Sequence, residues 1–273
     1  MRHLKVLACS LTLVALVCGM AGAQPPPKPP LGPLKWSQPV DNVNGWDMYS
    51  FWPGGADRPT IVVADDWRCL DGLPVTDFHW WGSYIAGVPG TVSSFEVSIH
   101  SDIPAQGEIP SHPGQLLKSY EFPLGGKLLD GLDGAAFPGG IVEEMFYETG
   151  AGHDIYQYNV VLPDPQFYFY QEQGQIYWLN IVARMVDDNS VWGWHTALRP
   201  PFVPENGLDP AVAIYDYDPQ TGGYFRWLSL VDSHCNIQMA FELTTIPEPG
   251  TMALVGTAGL FVLGLMRRRR LSS

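Results

Sequence analysis

Two pairs of tryptophan residues have the type and spacing to bind a sugar. Trp80 and Trp81 are adjacent, and Trp192 and Trp194 are separated by one glycine. An indole ring stacks well on the C–H face of a sugar, and ligand pockets commonly use aromatic side chains in this way. If each segment is a strand, Trp192 and Trp194 share one face, whereas Trp80 and Trp81 point to opposite faces. These four residues are a candidate ligand platform, and packing in the core is the alternative.

Clusters of acidic residues suggest a second chemistry, the binding of calcium. Carboxylates on loops supply the hard oxygen ligands that calcium prefers. Three clusters offer them: Asp65 with Asp66, Asp187 with Asp188, and Asp216 with Asp218. None has the loop pattern of an EF-hand, and each alone is also typical of a turn. Calcium binding is therefore a hypothesis, with turn formation as its alternative.

The sequence lacks the common motifs of catalysis. It has no Gly-x-Ser-x-Gly nucleophile motif and no His-Glu-x-x-His zinc motif. Histidines 79, 100, 112, 153, 195 and 234 are scattered, so their spacing gives a zinc site no support, although strands can bring distant ligands together. Glu143 and Glu144 would face opposite ways on a strand, which does not build the carboxylate pair of a glycosidase. We expect no enzyme, and a glycan hydrolase is the enzymatic alternative.

Charge and cysteine content limit the partners and the compartment. Between residues 24 and 246, nine basic residues stand against 27 acidic residues, a net charge of −18. Nucleic acid is excluded as an expected partner because phosphate binding needs clustered cations. After removal of a signal peptide only Cys69 and Cys235 remain, and such a pair in an exported protein predicts a disulfide. Two separate buried thiols are the alternative.

The N-terminus has the pattern of a secretion signal. Arg2 and Lys5 precede an apolar run from Leu7 to Met20, and the small residues 21–23 complete a signal peptidase site. We predict a signal peptide over residues 1–23. Residues 24–34 are rich in proline and are predicted to form an extended leader.

The C-terminus combines a chain break, an apolar segment and a basic cluster. Pro247, Glu248 and Pro249 precede an uncharged stretch, and Arg267, Arg268, Arg269 and Arg270 follow it. A helix over residues 251–266 would reach roughly 24 Å, slightly less than a typical ~30 Å hydrocarbon core. The arginines favour the cytoplasmic side, which leaves the large domain outside.

This tail, residues 246–273, resembles the PEP-CTERM sorting signal. The resemblance implies recognition by a membrane-embedded transpeptidase of the exosortase type, which cuts near Pro247–Pro249 and passes the protein to the cell surface or matrix. An ordinary single-pass anchor is the alternative, but such an anchor has no need of the Pro-Glu-Pro element.

The region between the ends, residues 35–245, is predicted to be one all-β domain. Short alternating runs separated by Gly, Pro and Asp recur every ten to twenty residues, which is typical of an antiparallel β-sandwich or jelly roll. Its aromatic blocks, including Ala64–Trp67, Pro74–Tyr84 and Trp192–Trp194, resemble an uncharacterised domain that accompanies PEP-CTERM tails. That resemblance supports the fold and implies no activity.

Together these features predict an exported, non-catalytic structural or adhesive protein of the cell surface or extracellular matrix. The expected partners are signal peptidase, an exosortase-type transpeptidase and the inner membrane before processing. Extracellular polysaccharide is a further candidate partner, because the alternative function is that of a carbohydrate-binding module. We expect no cofactor other than the hypothetical calcium.

Overall fold

The computed structural model describes residues 32–52, 61–85, 89, 91–125, 142–150, 152–198, 210–215, 227–231 and 236–245. The predicted signal peptide, the transmembrane helix and the sorting residues lie outside these residues, as does most of the proline-rich leader. In the part of the chain that is described, no helix is long and apolar enough to cross a membrane.

Fourteen β-strands account for the regular structure of the described residues. They are β1 Leu34–Gln38, β2 Asp47–Tyr49, β3 Phe51–Trp52, β4 Ile61–Arg68, β5 Asp77–Tyr84, β6 Val92–Ile103, β7 His112–Pro123, β8 Glu143–Gly150, β9 His153–Val161, β10 Ile176–Met185, β11 Trp192–His195, β12 Val212–Tyr215, β13 Leu228–Ser229 and β14 Phe241–Thr244.

The strands form two seven-stranded sheets. In the first sheet β5 is central, with β9 and then β8 on one edge. On its other side, β5 pairs with β14 along one part of its length and with β11 along the rest. Beyond these strands, β14 pairs with β1 and β11 pairs with β2. The second sheet has the order β13, β12, β4, β3, β10, β6, β7, and β4 also pairs with β10. The prediction of an all-β fold is confirmed, and it comprises two sheets.

Aromatic side chains from the two sheets meet in the core. Trp80 of β5 stacks on Tyr158 of β9, with ring centroids 5.6 Å apart, and the edge of Phe95 from the second sheet meets Trp80 at 5.1 Å. Phe95 also contacts Trp192 at 5.0 Å. Such pairs each contribute about 0.5–1.5 kcal/mol beyond the burial of apolar area. Rings on sequence-distant strands thus hold the sheets together.

The outer face of β5 is also covered, which strict alternation in a strand does not predict. Trp81 points away from the main core but is buried in a second apolar cluster with Ile155, Ala197 and Ala240. The ring of Tyr147 from β8 meets the Trp81 ring edge to face at 6.0 Å. Both faces of β5 are therefore buried, and this strand fixes the positions of its neighbours β9 and β11.

Candidate functional site

The four tryptophans predicted as a ligand platform are core residues. Trp80, Trp192 and Trp194 are fully buried, and Trp81 is 5% exposed. The Trp194 Nε1 donates a hydrogen bond to the Ala240 carbonyl at 2.9 Å. The platform prediction is wrong because β5 and β11 are interior strands of the first sheet. The second sheet covers Trp80, Trp192 and Trp194, whereas Trp81 is covered on the opposite face by the cluster around Ile155 and by Tyr147.

The described calcium candidates lie in a strand and in a turn. Asp65 and Asp66 are buried in β4, and the Asp65 carboxylate accepts the backbone N–H groups of Asp66 and Met239. Asp187 accepts hydrogen bonds from Asn189 N and Ser190 N, both at 2.8 Å, within its own turn.

These contacts match the turn-forming alternative for Asp187, and Asp188 lies exposed in the same turn. Asp216 and Asp218 lie outside the described residues, as does Cys235. Cys69 is buried, and its Sγ accepts a hydrogen bond from Gly72 N. The calcium site and the disulfide stay predictions.

Among the described residues, Asp47, His153 and His195 form a group of three potential metal ligands. The three residues come from β2, β9 and β11. Asp47 and His195 are direct partners in the antiparallel β2–β11 ladder, and side chains at such positions lie on the same face of a sheet. His153 begins β9, immediately after the hairpin from β8. The sheet therefore brings together residues that are far apart in sequence.

The carboxylate of Asp47 lies between the two imidazole rings. Its Oδ1 is 2.8 Å from His195 Nδ1, and its Oδ2 is 2.8 Å from His153 Nε2. The ring centroids of the two histidines are 5.4 Å apart. The ligand atoms of all three residues lie within 4.8 Å of one another.

The second nitrogen of His195 has its own fixed partner. His195 Nε2 lies 3.0 Å from the carbonyl oxygen of Asp41, which also accepts the Gly45 N–H at 2.9 Å. The Asp41 carboxylate in turn accepts the Asn44 N–H at 2.9 Å. Because a carbonyl only accepts, His195 Nε2 must carry a proton and donate. The turn from Asp41 to Gly45 therefore fixes both the ring and its tautomer.

Two glycines make room for this group. A Cβ on Gly45 would lie 2.3 Å from His195 Nε2 and 2.2 Å from the Asp41 carbonyl oxygen. A Cβ on Gly193 would lie 2.7 Å from the Cβ of Asp47. All three distances are shorter than any real carbon contact allows, so glycine at each position is what lets Asp47 and His195 occupy their places.

The charge state of Asp47 follows from the histidines beside it. Burial alone would raise the pKa of this carboxyl group, but hydrogen bonds and charge interactions with His153 and His195 outweigh burial and lower its pKa below the ordinary 3.8. Asp47 is therefore an ionised carboxylate at neutral pH.

The group borders a cleft of about 440 Å³. Asp47 and His153 line it, together with Met48 and Tyr49 of the first sheet and Ile61, Val63 and Ala213 of the second. Trp46 and Tyr49 are 44% and 47% exposed. The cleft thus combines exposed aromatic residues with the charged side chain of Asp47, which is a composition typical of a small-ligand site.

The sequence does not indicate this site, because Asp47, His153 and His195 are far apart along the chain and form no known motif. β2 has three residues and no alternation long enough to predict a strand, so the pairing of Asp47 with His195 had no signal. The one usable signal was the aromatic content of Trp46–Tyr49 beside an aspartate.

Two family models match this chain. Residues 34–244 match a family described as a domain of unknown function, DUF7901, and residues 245–270 match the PEP-CTERM protein-sorting motif. Both resemblances inferred from the sequence are confirmed. No curated protein and no solved structure matches the chain.

Proposed function

The chain belongs to the DUF7901 family and ends in a PEP-CTERM sorting motif, and from that premise we propose a non-catalytic adhesive protein of the cell surface or extracellular matrix. In this proposal the folded domain binds extracellular polysaccharide through the cleft at Trp46 and Tyr49. The sorting motif implies processing by an exosortase.

The proposed route uses both ends of the chain. Signal peptidase removes residues 1–23, the apolar stretch 251–266 holds the precursor in the inner membrane, and Arg267–Arg270 keep its end in the cytoplasm. The domain then faces outward, where polysaccharide is accessible. Its net charge of −18 between residues 24 and 246 favours neutral sugars over anionic polymers as ligands.

The observation that carries the binding proposal is the pair of open rings beside the cleft. Trp46 is held by its backbone, since its N–H donates to Thr196 Oγ1 at 2.9 Å and its carbonyl accepts the Thr196 N–H at 2.9 Å. The Tyr49 ring packs edge to face on the buried ring of Phe51, with centroids 6.3 Å apart. The Tyr49 ring is therefore held by its neighbour and Trp46 by its backbone, and such preorganisation lowers the entropy lost on binding.

The residues that line the cleft favour binding over hydrolysis. Of the described residues that line it, Asp47 alone carries a carboxylate, whereas glycosidases use two. A catalytic acid also needs a raised pKa, and the pKa of Asp47 is lowered. Asp47 and His153 are better suited to hydrogen bonding with sugar hydroxyls.

The test is polysaccharide retention by the mature protein and its variants. Replacing Trp46 and Tyr49 with Ala should weaken retention on isolated matrix polysaccharide at least tenfold, because stacked rings typically supply a large share of such binding energy. Tyr170 is 59% exposed and does not line the cleft, so Tyr170→Ala is the matched control and should bind as the wild type does.

The melting temperature must be measured on the same variants, so that lost binding is not mistaken for lost folding. Unchanged retention in the double variant would exclude the cleft as the binding site. Release of reducing sugar by the wild type would favour the hydrolase alternative.

A further inference from the structure

We propose that Asp47, His153 and His195 bind a divalent transition metal ion, with zinc the best fit. This inference goes beyond the proposed polysaccharide binding. It shares Asp47 and His153 with the lining of the cleft but does not depend on the exposed rings of Trp46 and Tyr49. It also differs from the calcium hypothesis in position and in chemistry.

The donor atoms select the type of metal. Two imidazole nitrogens and one carboxylate oxygen suit zinc and its neighbours, whereas calcium prefers six to eight oxygen ligands. Each ligand residue is in a strand and thus held by the sheet.

The distances fit a metal with small movements of side chains. At zinc–ligand bonds of about 2.1 Å and tetrahedral angles, ligand atoms lie about 3.4 Å apart. The two oxygen–nitrogen distances are 2.8 Å, and no pair of ligand atoms exceeds 4.8 Å. A side-chain rotation that opens the oxygen–nitrogen contacts by about half an ångström would admit the ion.

The contact from His195 to Asp41 is the second observation that indicates a metal. A histidine that binds a metal characteristically donates its other ring N–H to a carbonyl or carboxylate, which fixes the tautomer. His195 Nε2 donates to the Asp41 carbonyl at 3.0 Å, which leaves the lone pair of Nδ1 directed at the group. Gly45, which has no Cβ, allows this approach.

A buried ion pair is the competing interpretation. In that interpretation the Asp47 carboxylate joins the two rings through its contacts with His195 Nδ1 and His153 Nε2, both at 2.8 Å. A metal would replace these two contacts with bonds to the ion, and zinc titration distinguishes the two arrangements.

Access to the site is through the cleft. Asp47 and His153 both line it, and the His153 side chain is 31% exposed. Three protein ligands leave a coordination position open, as in sites that hold a water or an exogenous ligand. The ion would therefore exchange with solvent and bind reversibly.

The test is zinc binding by the untagged mature protein after treatment with a chelator and dialysis. Calorimetric titration with ZnCl2 should show one strong site per chain, and CoCl2 should give the visible absorption of a four-coordinate ion. CaCl2 should give no comparable heat.

His153→Gln is the informative variant because Gln can still donate to Asp47 Oδ2. It should weaken zinc binding by more than the 10–100-fold typical of losing a residue that only hydrogen-bonds to a ligand. His112→Gln is the matched control, since His112 lies on β7 of the second sheet, and its zinc affinity should equal that of the wild type. Near-ultraviolet circular dichroism checks that each variant is folded.

Absence of a strong zinc site in the wild type would overturn the proposal, as would a folded His153→Gln protein that binds zinc as well as the wild type. If His153→Gln does not fold, Asp47→Asn replaces it in the same comparison. Polysaccharide retention by the chelated protein is measured in parallel, because its persistence would leave the adhesive function standing even where zinc binding fails.

Discussion

The indole Nε1 of Trp192 donates a hydrogen bond to the hydroxyl group of Tyr158 at 3.1 Å, and both side chains are fully buried. Trp192 lies on β11 and Tyr158 on β9, with β5 between them in the first sheet. Burial raises the pKa of the Tyr158 hydroxyl well above 10, so it stays protonated and available to accept. The bond ties two strands together across a third.

This arrangement predicts that Trp192 acts in stability and not in ligand binding. Trp192→Ala should lower the free energy of unfolding by roughly 3–5 kcal/mol, as truncation of a buried aromatic residue typically does. Trp46→Ala, at an exposed position, should change it by at most about 0.5 kcal/mol. Chemical denaturation of both variants measures the difference, and a mild effect at Trp192 would contradict its placement in the core.

The sorting motif predicts where a precursor without its Pro-Glu-Pro element accumulates. Deletion of Pro247–Pro249 removes the cleavage element but keeps the apolar stretch and the arginines, so the protein should remain in the inner membrane. Membrane fractionation with immunoblotting measures this. Deletion of Lys28–Pro30 from the leader is the size-matched control and should leave delivery unchanged; normal surface delivery of the Pro247–Pro249 deletion would speak against exosortase processing.

The cysteine pair gives a prediction about redox state. In the mature protein Cys69 and Cys235 should be joined, because export delivers them to an oxidising compartment. Mass spectrometry of the unreduced protein, after denaturation in a thiol-alkylating reagent, should show no added alkyl group. Two alkylated thiols would favour the alternative of separate cysteines.

Much of the fold was predictable because long strands leave a clear pattern. The sequence predicts a strand over residues 176–186, and β10 is Ile176–Met185. The alternation of Ile237, Met239, Phe241 and Leu243 also predicts a strand over residues 236–244. The observed strand is shorter, since β14 is Phe241–Thr244. Before it, the Met239 N–H donates to the Asp65 carboxylate and Ala240 N bonds to the His195 carbonyl. A buried side chain replaces a backbone partner there, and no local pattern indicates that.

The candidate sites were less predictable for two physical reasons. A tryptophan has the same local sequence whether a second sheet covers it or solvent does, so Trp192 in β11 and Trp46 just before β2 could not be told apart. Asp47, His153 and His195 meet through the pairing of β2 with β11 and the position of the β8–β9 hairpin. Such contacts between distant segments are set by tertiary structure.

The buried Asp65 predicts a stability that depends on pH. Burial and the neighbouring Asp66 charge raise its pKa well above 3.8, although backbone hydrogen bonds oppose this shift. The folded state therefore holds a proton that the unfolded state loses near pH 4, and the contribution of Asp65 to stability falls as pH rises above that value. The loss amounts to about 1.4 kcal/mol for each pH unit between the two pKa values.

Asp65→Asn should remove this dependence. Its free energy of unfolding relative to the wild type should increase steadily from pH 4 upward, because the amide needs no proton to stay neutral. Urea denaturation at intervals from pH 4 to pH 7 measures the trend. Asp188→Asn, at an exposed turn position, reports the effect of removing one negative charge from the surface. If the two substitutions follow the same pH profile, the carboxyl group of Asp65 does not titrate as its burial in β4 requires.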